Sequence, residues 1–151
     1  MRKVKAEITV EGQPVGKGRP KFARQGNYVK AYTPEKTMEY EELVRTIYQL
    51  KAKDCCYKTV YFSADIPIRI SVKAYYKIPK NTGKSRKNDM LSGKIRPLIK
   101  PDLDNIGKIV CDALNGIAYY DDKQIAEMQI QKWYSDRPRI EVVIADLGET
   151  A

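Results

Sequence analysis

The chain has 151 residues, no histidine and a formal net charge of +9, from 28 Lys plus Arg against 19 Asp plus Glu. This length predicts one domain with a sizeable core, and the excess of cations favours a polyanionic partner, nucleic acid first. The lack of histidine excludes Ser-His-Asp and Cys-His nucleophiles, histidine general bases and almost all zinc enzymes. Carboxylates, lysine, tyrosine and metal-bound water remain as the available chemistry.

The sequence has no run of about 18 apolar residues, and its first residues lack the apolar segment of a signal peptide. We therefore expect a cytoplasmic protein that does not enter a membrane. Three cysteines, Cys55, Cys56 and Cys111, are too few and too unevenly spaced for a disulfide framework, and we expect all three to be reduced.

The N-terminal third begins with a predicted strand over Val4 to Val10, where apolar and polar residues alternate. Residues 12–20 are similar to a phosphate-binding loop, but the spacing is one residue short and Gly18 replaces the Ser or Thr that would hold magnesium. We therefore predict a bent connection and no nucleotide cofactor, followed by a hairpin over Arg24 to Tyr32 around Gly26-Asn27. The cations of this region are predicted to contact the DNA backbone: Lys17, Arg19, Lys21 and Arg24.

A helix is predicted from Pro34, after the capping Thr33, to about Lys51. Its buried stripe is expected at three- and four-residue spacing, at Tyr40, Leu43, Val44, Ile47 and Leu50. The acids Glu39, Glu41 and Glu42 are expected on a solvated face. Alternation then predicts a strand that begins just after Pro67 and ends near Ile78.

Residues 79–99 are predicted to form a flexible basic loop, because periodicity disappears and cations dominate. Two interpretations remain open for it: an arm that grips phosphates, or a solvated insertion. Its candidate DNA contacts, with one cation just beyond the loop, are Lys84, Arg86, Lys87, Lys94, Arg96 and Lys100.

Acidic residues concentrate after this loop, around a helix predicted from Leu103 to Asn115. Asp102 and Asp104 fall in its opening turn, where acids commonly cap a helix, and Lys108 lies one turn further on the same side. Beyond the helix come Asp121 and Asp122.

Two strands are predicted after these acids, Ile125 to Tyr134 and Arg139 to Ile144, joined by a tight connection over 135–138. A hairpin that returns along the helix would bring the later pair of acids back to the earlier pair.

The carboxylates of these four aspartates, at 102, 104, 121 and 122, are suitable ligands for a hard divalent cation. Magnesium takes oxygen ligands and needs only one or two direct carboxylates when water and a substrate phosphate complete its shell. A calcium loop of the EF-hand type fails, because Ile106 and Ala113 occupy two of its ligand positions. The residues alone thus predict a basic, metal-using domain directed at phosphates.

Two segments resemble the signature of the RusA family of Holliday-junction resolvases. They are Lys-Pro-Asp-Leu-Asp-Asn-Ile-Gly-Lys at 100–108 and Asp-Ala-Leu-Asn-Gly-Ile-Ala-Tyr-Tyr-Asp-Asp-Lys-Gln at 112–124. The opening Pro-Val-Gly-Lys-Gly-Arg-Pro at 14–20 is similar to that family's N-terminal segment. The resemblance implies a homodimeric α+β (α/β two-layer) fold in which a small mixed β-sheet packs against two main helices. It also implies Mg²⁺-dependent cutting of four-way DNA junctions by paired nicks, of the type found in phages and prophages.

Transferred by motif, the catalytic acids fall on Asp102, Asp104 and Asp122, which would also bind the metal, and the essential lysine falls on Lys108. Asp121 adjoins the last acid as a supporting partner, whereas a structural role is expected for Asp112. Mn²⁺ is expected to substitute for Mg²⁺, and the products implied are 5′-phosphate and 3′-hydroxyl ends. Two other hypotheses remain open: a non-catalytic basic DNA-binding protein, and a nuclease with a broader preference for forks or flaps.

Overall fold

The computed structural model describes residues 5–54 and 61–148. Helices α1, α2 and α3 span Glu35–Asp54, Lys84–Leu91 and Leu103–Leu114, and a short 3₁₀ helix spans Asp122–Gln124. The strands are β1 Lys5–Glu11, β2 Lys21–Gln25, β3 Tyr28–Tyr32, β4 Ile68–Lys77, β5 Ile125–Ser135 and β6 Arg139–Asp146. None of the helices in these two ranges is long and apolar enough to cross a bilayer.

The main sheet has four strands in the order β1-β6-β4-β5. Strand β6 pairs antiparallel with both β1 and β4, whereas β4 and β5 run parallel. The prediction that the last two strands form a hairpin is therefore wrong. Although only residues 136–138 separate β5 from β6, strand β4 lies between them, so the connection crosses the end of β4.

Helices α1 and α3 pack together on the sheet, which confirms the predicted α+β architecture. Alternate residues of β4, from Ile68 to Tyr76, are buried in this core. Helix α3 is largely enclosed, because seven of its twelve residues are buried: Ile106, Gly107, Ile109, Val110, Cys111, Ala113 and Leu114.

The buried stripe of α1 differs from the predicted one. Tyr40 and Val44 are buried as expected, but the stripe continues through Tyr48, while Leu43 and Leu50 are exposed. The apolar residues of α1 cover a wider arc than one core contact can bury, and three- or four-residue spacing alone does not say which part of that arc faces the core.

The predicted hairpin around Gly26 is confirmed and begins slightly earlier, at Lys21. Gly26 has φ of 62°, the left-handed conformation that glycine adopts at little cost in such a turn. Strands β2 and β3 form a separate two-stranded sheet.

The predicted basic loop over 79–99 is not structureless, because α2 lies within it. Met90 and Pro97 of this segment are buried, α2 contacts β5, and the guanidinium of Arg96 lies 3.5 Å from the centre of the Trp133 ring. The helix was missed because only Met90 of its side chains is buried, so its sequence carries almost no apolar periodicity.

Candidate active site

The start of α3 carries the first pair of acids. Asp102 is the N-cap residue with extended backbone, and its carbonyl accepts the amide of Ile106 at 3.1 Å. The predicted cap position of Asp102 is confirmed, but its carboxylate makes no capping hydrogen bond. Both Asp102 and Asp104 are exposed at this end of the helix.

Neighbouring elements hold this helix start in place. The Tyr76 hydroxyl of β4 donates to the Pro101 carbonyl at 2.6 Å, and the Lys17 amide donates to the Asn105 carbonyl at 2.9 Å. Burial, and to a lesser degree the charge of Asp102, raises the pKa of the Tyr76 hydroxyl, which therefore stays protonated as a donor.

The second acid site lies further along α3, in an open cavity of about 460 Å³ between α3 and the start of β5. Lys108, Asp112 and Asp122 line it together with Cys111, and Glu127 lies on the β5 side. The fold therefore places the predicted lysine, Lys108, and the last predicted acid, Asp122, in one cavity.

Asp122 is in an unusual environment for a carboxylate. Its Oδ1 atom is buried and has no hydrogen-bond partner within residues 5–54 and 61–148, while the nearby Tyr119 hydroxyl donates to the Cys111 carbonyl at 2.6 Å. Burial raises the pKa of Asp122, and repulsion from Asp112 and Asp121 adds to the increase. The Tyr119 hydroxyl and Lys108 act in the opposite direction. A cation brought to this oxygen would remove an electrostatic penalty.

Asp121 has a structural task. Its side chain accepts the Lys123 amide at 2.9 Å and forms a capping box with Gln124, whose Oε1 accepts the amides of Tyr120 and Asp121. The Gln124 amide group also donates to the carbonyls of Ser63 and Ile66. Gln124 is not among the residues predicted for the site, although the spacing Asp121-x-x-Gln124 is the sequence signal of a capping box.

A network of charges joins the N-terminal connection to this site. The Lys17 ammonium contacts Glu41 of α1 and lies 3.1 Å from Asp112, which in turn lies 3.7 Å from the Lys108 ammonium. Glu41 is not on a solvated face as predicted, since its side chain is only 14% exposed. Lys17 directs its charge at the protein's own carboxylates, and Asp112 links two lysines.

The predicted acids do not converge as a ready-made cage. Asp102 lines a different cavity, of about 830 Å³, together with Gly16, Arg19 and Lys100. Over residues 5–54 and 61–148, no group of three or more Asp, Glu or Cys side chains is arranged to hold a metal ion. The structure thus places Asp122 in one cavity with Lys108 and Asp112, and Asp102 in a separate one.

The residues nevertheless suit magnesium chemically. The candidate ligands are carboxylate oxygens, the type that Mg²⁺ prefers, and the unpartnered Oδ1 of Asp122 is an acceptor in need of a partner. Mg²⁺ commonly keeps several waters and takes only one or two carboxylates, so a preformed set of three is not a requirement.

The other predicted DNA contacts lie on the hairpin and on the segment that contains α2, and none of them lines either cavity. Lys21 and Arg24 lie exposed on the β2–β3 hairpin, and Lys84, Arg86, Lys87 and Lys94 lie exposed on or after α2. Arg96 is stacked on Trp133 and donates to the Lys132 carbonyl, which fixes its guanidinium to the sheet.

Comparison with known proteins identifies the family. The sequence model of the family described as Endodeoxyribonuclease RusA matches residues 11–145. A Bacillus subtilis (strain 168) protein named "Uncharacterized protein YqaN" is 34% identical over 144 residues, which cover 94% of this chain and 96% of the relative. The matched range contains both cavities and every acid discussed above, and the chain therefore belongs to the RusA endodeoxyribonuclease family.

Proposed function

We propose that this protein is a Mg²⁺-dependent endonuclease that resolves four-way DNA junctions by paired nicks. Membership of the RusA endodeoxyribonuclease family supports endonuclease action on Holliday junctions. The observation that carries the proposal is one shared cavity: Lys108 lines it together with Asp122, whose buried Oδ1 atom has no hydrogen-bond partner among the described residues.

Asp104, Asp122 and Asp102 are the residues that would hold the metal. When bound, the ion supplies an activated water and neutralises charge on the scissile phosphate, and Mn²⁺ is expected to replace Mg²⁺ in this role. The raised pKa of Asp122 supports cation binding there, because the carboxylate is held charged at a cost that a cation would offset.

Lys108 is the residue we assign to transition-state stabilisation. Its side chain is 62% exposed, so the ammonium can reach a phosphate brought to the mouth of the cavity. Asp112 lies 3.7 Å from it and limits the directions in which it points. The expected products carry 5′-phosphate and 3′-hydroxyl ends.

Lys17 and Glu41 act in this scheme through Asp112. Because Lys17 is shared between two carboxylates, it joins the connection at 16–18 to both α1 and α3. We assign it a positioning role at the site, in place of the direct DNA contact expected from the sequence.

The symmetry of the proposed substrate favours a homodimer. A four-way junction has approximate two-fold symmetry and needs two symmetric cuts, which a two-fold homodimer with one site per subunit would deliver. The net charge of +9 supports binding of the phosphate backbone through counterion release.

The test is cleavage of end-labelled synthetic DNA by the purified full chain, with Mg²⁺, with Mn²⁺ and with EDTA. A four-way junction is compared with a fork, a flap, a linear duplex and a single strand of the same sequence. The proposal expects metal-dependent paired nicks in the junction and much slower cutting of the others. Binding without any cutting would support the non-catalytic alternative, and equal cutting of forks or flaps would support the broader nuclease.

A further inference from the structure

The β2–β3 hairpin exposes an unusual amount of apolar and aromatic surface. Phe22, Tyr28, Val29 and Tyr32 are 71%, 64%, 61% and 46% exposed. Of the ten residues in the two strands only Ala23 is even partly buried, so the hairpin is open on both faces. An isolated two-stranded hairpin is marginally stable in water, and such a surface indicates a partner.

The two faces of the hairpin differ in chemistry. The register pairs Lys21 with Tyr32, Ala23 with Lys30 and Gln25 with Tyr28, and directly paired residues point to the same side. One face therefore carries Tyr28, Lys30 and Tyr32 along β3, and the two tyrosines lie about 14 Å apart along the strand. We call these three residues the Tyr-Lys-Tyr face. The opposite face carries Phe22, Arg24, Val29 and Ala31.

The charge of the hairpin selects a polyanion as its partner. Residues 19–34 contain the cations Arg19, Lys21, Arg24 and Lys30 and no acid. A symmetric pairing of two hairpins from two copies would place these like charges against each other. Proteins that bind single-stranded nucleic acids combine aromatic rings, which stack on the bases, with cations, which contact the backbone phosphates.

The base of the hairpin lies at the candidate active site. Arg19 and Pro34, which flank the two strands, both line the cavity that contains Asp102. The connection before β2 is fixed to the helices, since the Gly18 amide donates to Thr37 Oγ1 at 3.0 Å and the Lys17 amide donates to the Asn105 carbonyl. The Tyr-Lys-Tyr face therefore projects from the rim of that cavity, by roughly 17 Å for five extended residues.

We propose that the Tyr-Lys-Tyr face stacks on unstacked bases at the branch point of DNA and so gives the protein its preference for branched over linear duplex. The bases of a duplex are already stacked on each other and offer no free face, whereas bases at a branch can be displaced onto an aromatic ring. Lys30, between the two rings, is placed to contact the adjoining phosphate. This inference rests on the proposed function for its substrate but is tested by binding alone.

The experiment measures equilibrium binding in EDTA, where nothing is cut, of the full chain to a four-way junction and to a duplex of equal length. Tyr28→Ala/Tyr32→Ala is expected to weaken junction binding about 10-fold or more and duplex binding no more than about 2-fold, since each stacked base contributes substantially to affinity. Tyr28→Phe/Tyr32→Phe keeps the rings and should bind the junction like wild type. A 2-aminopurine base at the branch should be quenched by wild type and by the Phe variant, but not by the Ala variant.

Phe22→Ala is the matched control, because it removes an equally exposed ring from the opposite face of the same hairpin. The inference is overturned if Phe22→Ala weakens junction binding as much as the double Tyr variant, or if the Tyr variant loses junction and duplex binding equally. It is also overturned if sedimentation shows that the Tyr variant turns a dimer into monomers, since the face would then contact a second copy. Wild type that binds junctions selectively but never cuts them would refute the proposed function and leave this inference intact.

Discussion

Replacement of Lys17 by methionine tests the charge network that joins the N-terminal connection to the site. The change keeps the length and most of the apolar stem of the side chain but removes the ammonium shared by Glu41 and Asp112. Glu41, whose side chain is only 14% exposed, would lose its cation, and Asp112, 27% exposed, would keep only the more exposed Lys108.

The magnitude follows from this degree of burial. Removing one partner of a fully buried ion pair costs about 3–5 kcal/mol, and an exposed pair contributes about 0–1 kcal/mol. For partly buried groups we expect a loss of about 2 kcal/mol in the free energy of unfolding, or roughly 5 °C in Tm for a chain of this length.

The pH dependence has a defined sign. Burial opposes the charge on Lys17, but hydrogen bonds and attraction from Glu41 and Asp112 outweigh it and raise the pKa above its ordinary 10.5. The stabilisation is therefore fully present below pH 10.5 and is lost as the pH rises through the higher value of the folded state. The difference between wild type and Lys17→Met should be constant near neutral pH and shrink only in strong alkali.

The assay is urea unfolding followed by fluorescence of Trp133, the only tryptophan in the chain. Lys36→Met, which removes an exposed lysine at the start of α1, is the matched control and should change stability by less than about 0.5 kcal/mol. A double-mutant cycle with Glu41→Gln should give a coupling energy of about 1 kcal/mol or more. If Lys17→Met unfolds like the Lys36 control, the network does not hold the connection to the helices and our reasoning about Lys17 is wrong.

Three further substitutions test the surroundings of the site. Asp122→Asn should abolish cleavage yet leave stability at neutral pH equal or higher, because the raised pKa means the charged form is disfavoured in the fold; by urea unfolding, any gain should vanish below the ordinary carboxyl pKa of 3.8. Gln124→Ala removes hydrogen bonds to four backbone groups and should cost about 2–4 kcal/mol in the same assay, with a lower cleavage rate; unchanged values for both would contradict its structural role. Gly16→Ala would place a Cβ 2.6 Å from Pro101 Cβ, and should cost about 1–3 kcal/mol and slow cleavage; a stable, fully active variant would show that the connection has room to move.

Local sequence signals predicted the elements that carry the site. The apolar spacing after Asp102 and the Asn115-Gly116 stop defined α3, and the glycine turn defined the β2–β3 hairpin. These features depend on neighbouring residues, so the sequence contains the information directly.

Features that depend on distant contacts were missed. The insertion of β4 between β5 and β6 follows from strand pairing across the chain, which no local pattern reveals. Glu41 was assigned to solvent because its partner Lys17 lies 24 positions away. Likewise, the sequence indicated which acids belong to the motif, but not that Asp122 would share its cavity with Lys108 and Asp112 while Asp102 lines another.

The central claim is that the acids at the start of α3 and Asp122 act together on one scissile phosphate. It is tested most directly by single-turnover cleavage of a four-way junction with Mg²⁺ by Asp104→Asn, by Asp122→Asn and by the double variant, with the exposed Asp65→Asn as control. If the acids act as one unit, each single change lowers the rate at least about 100-fold and the double variant is hardly slower than either, because residues of one catalytic unit are strongly non-additive. Near-normal cleavage by either single variant, or losses that multiply in the double variant, would contradict the account.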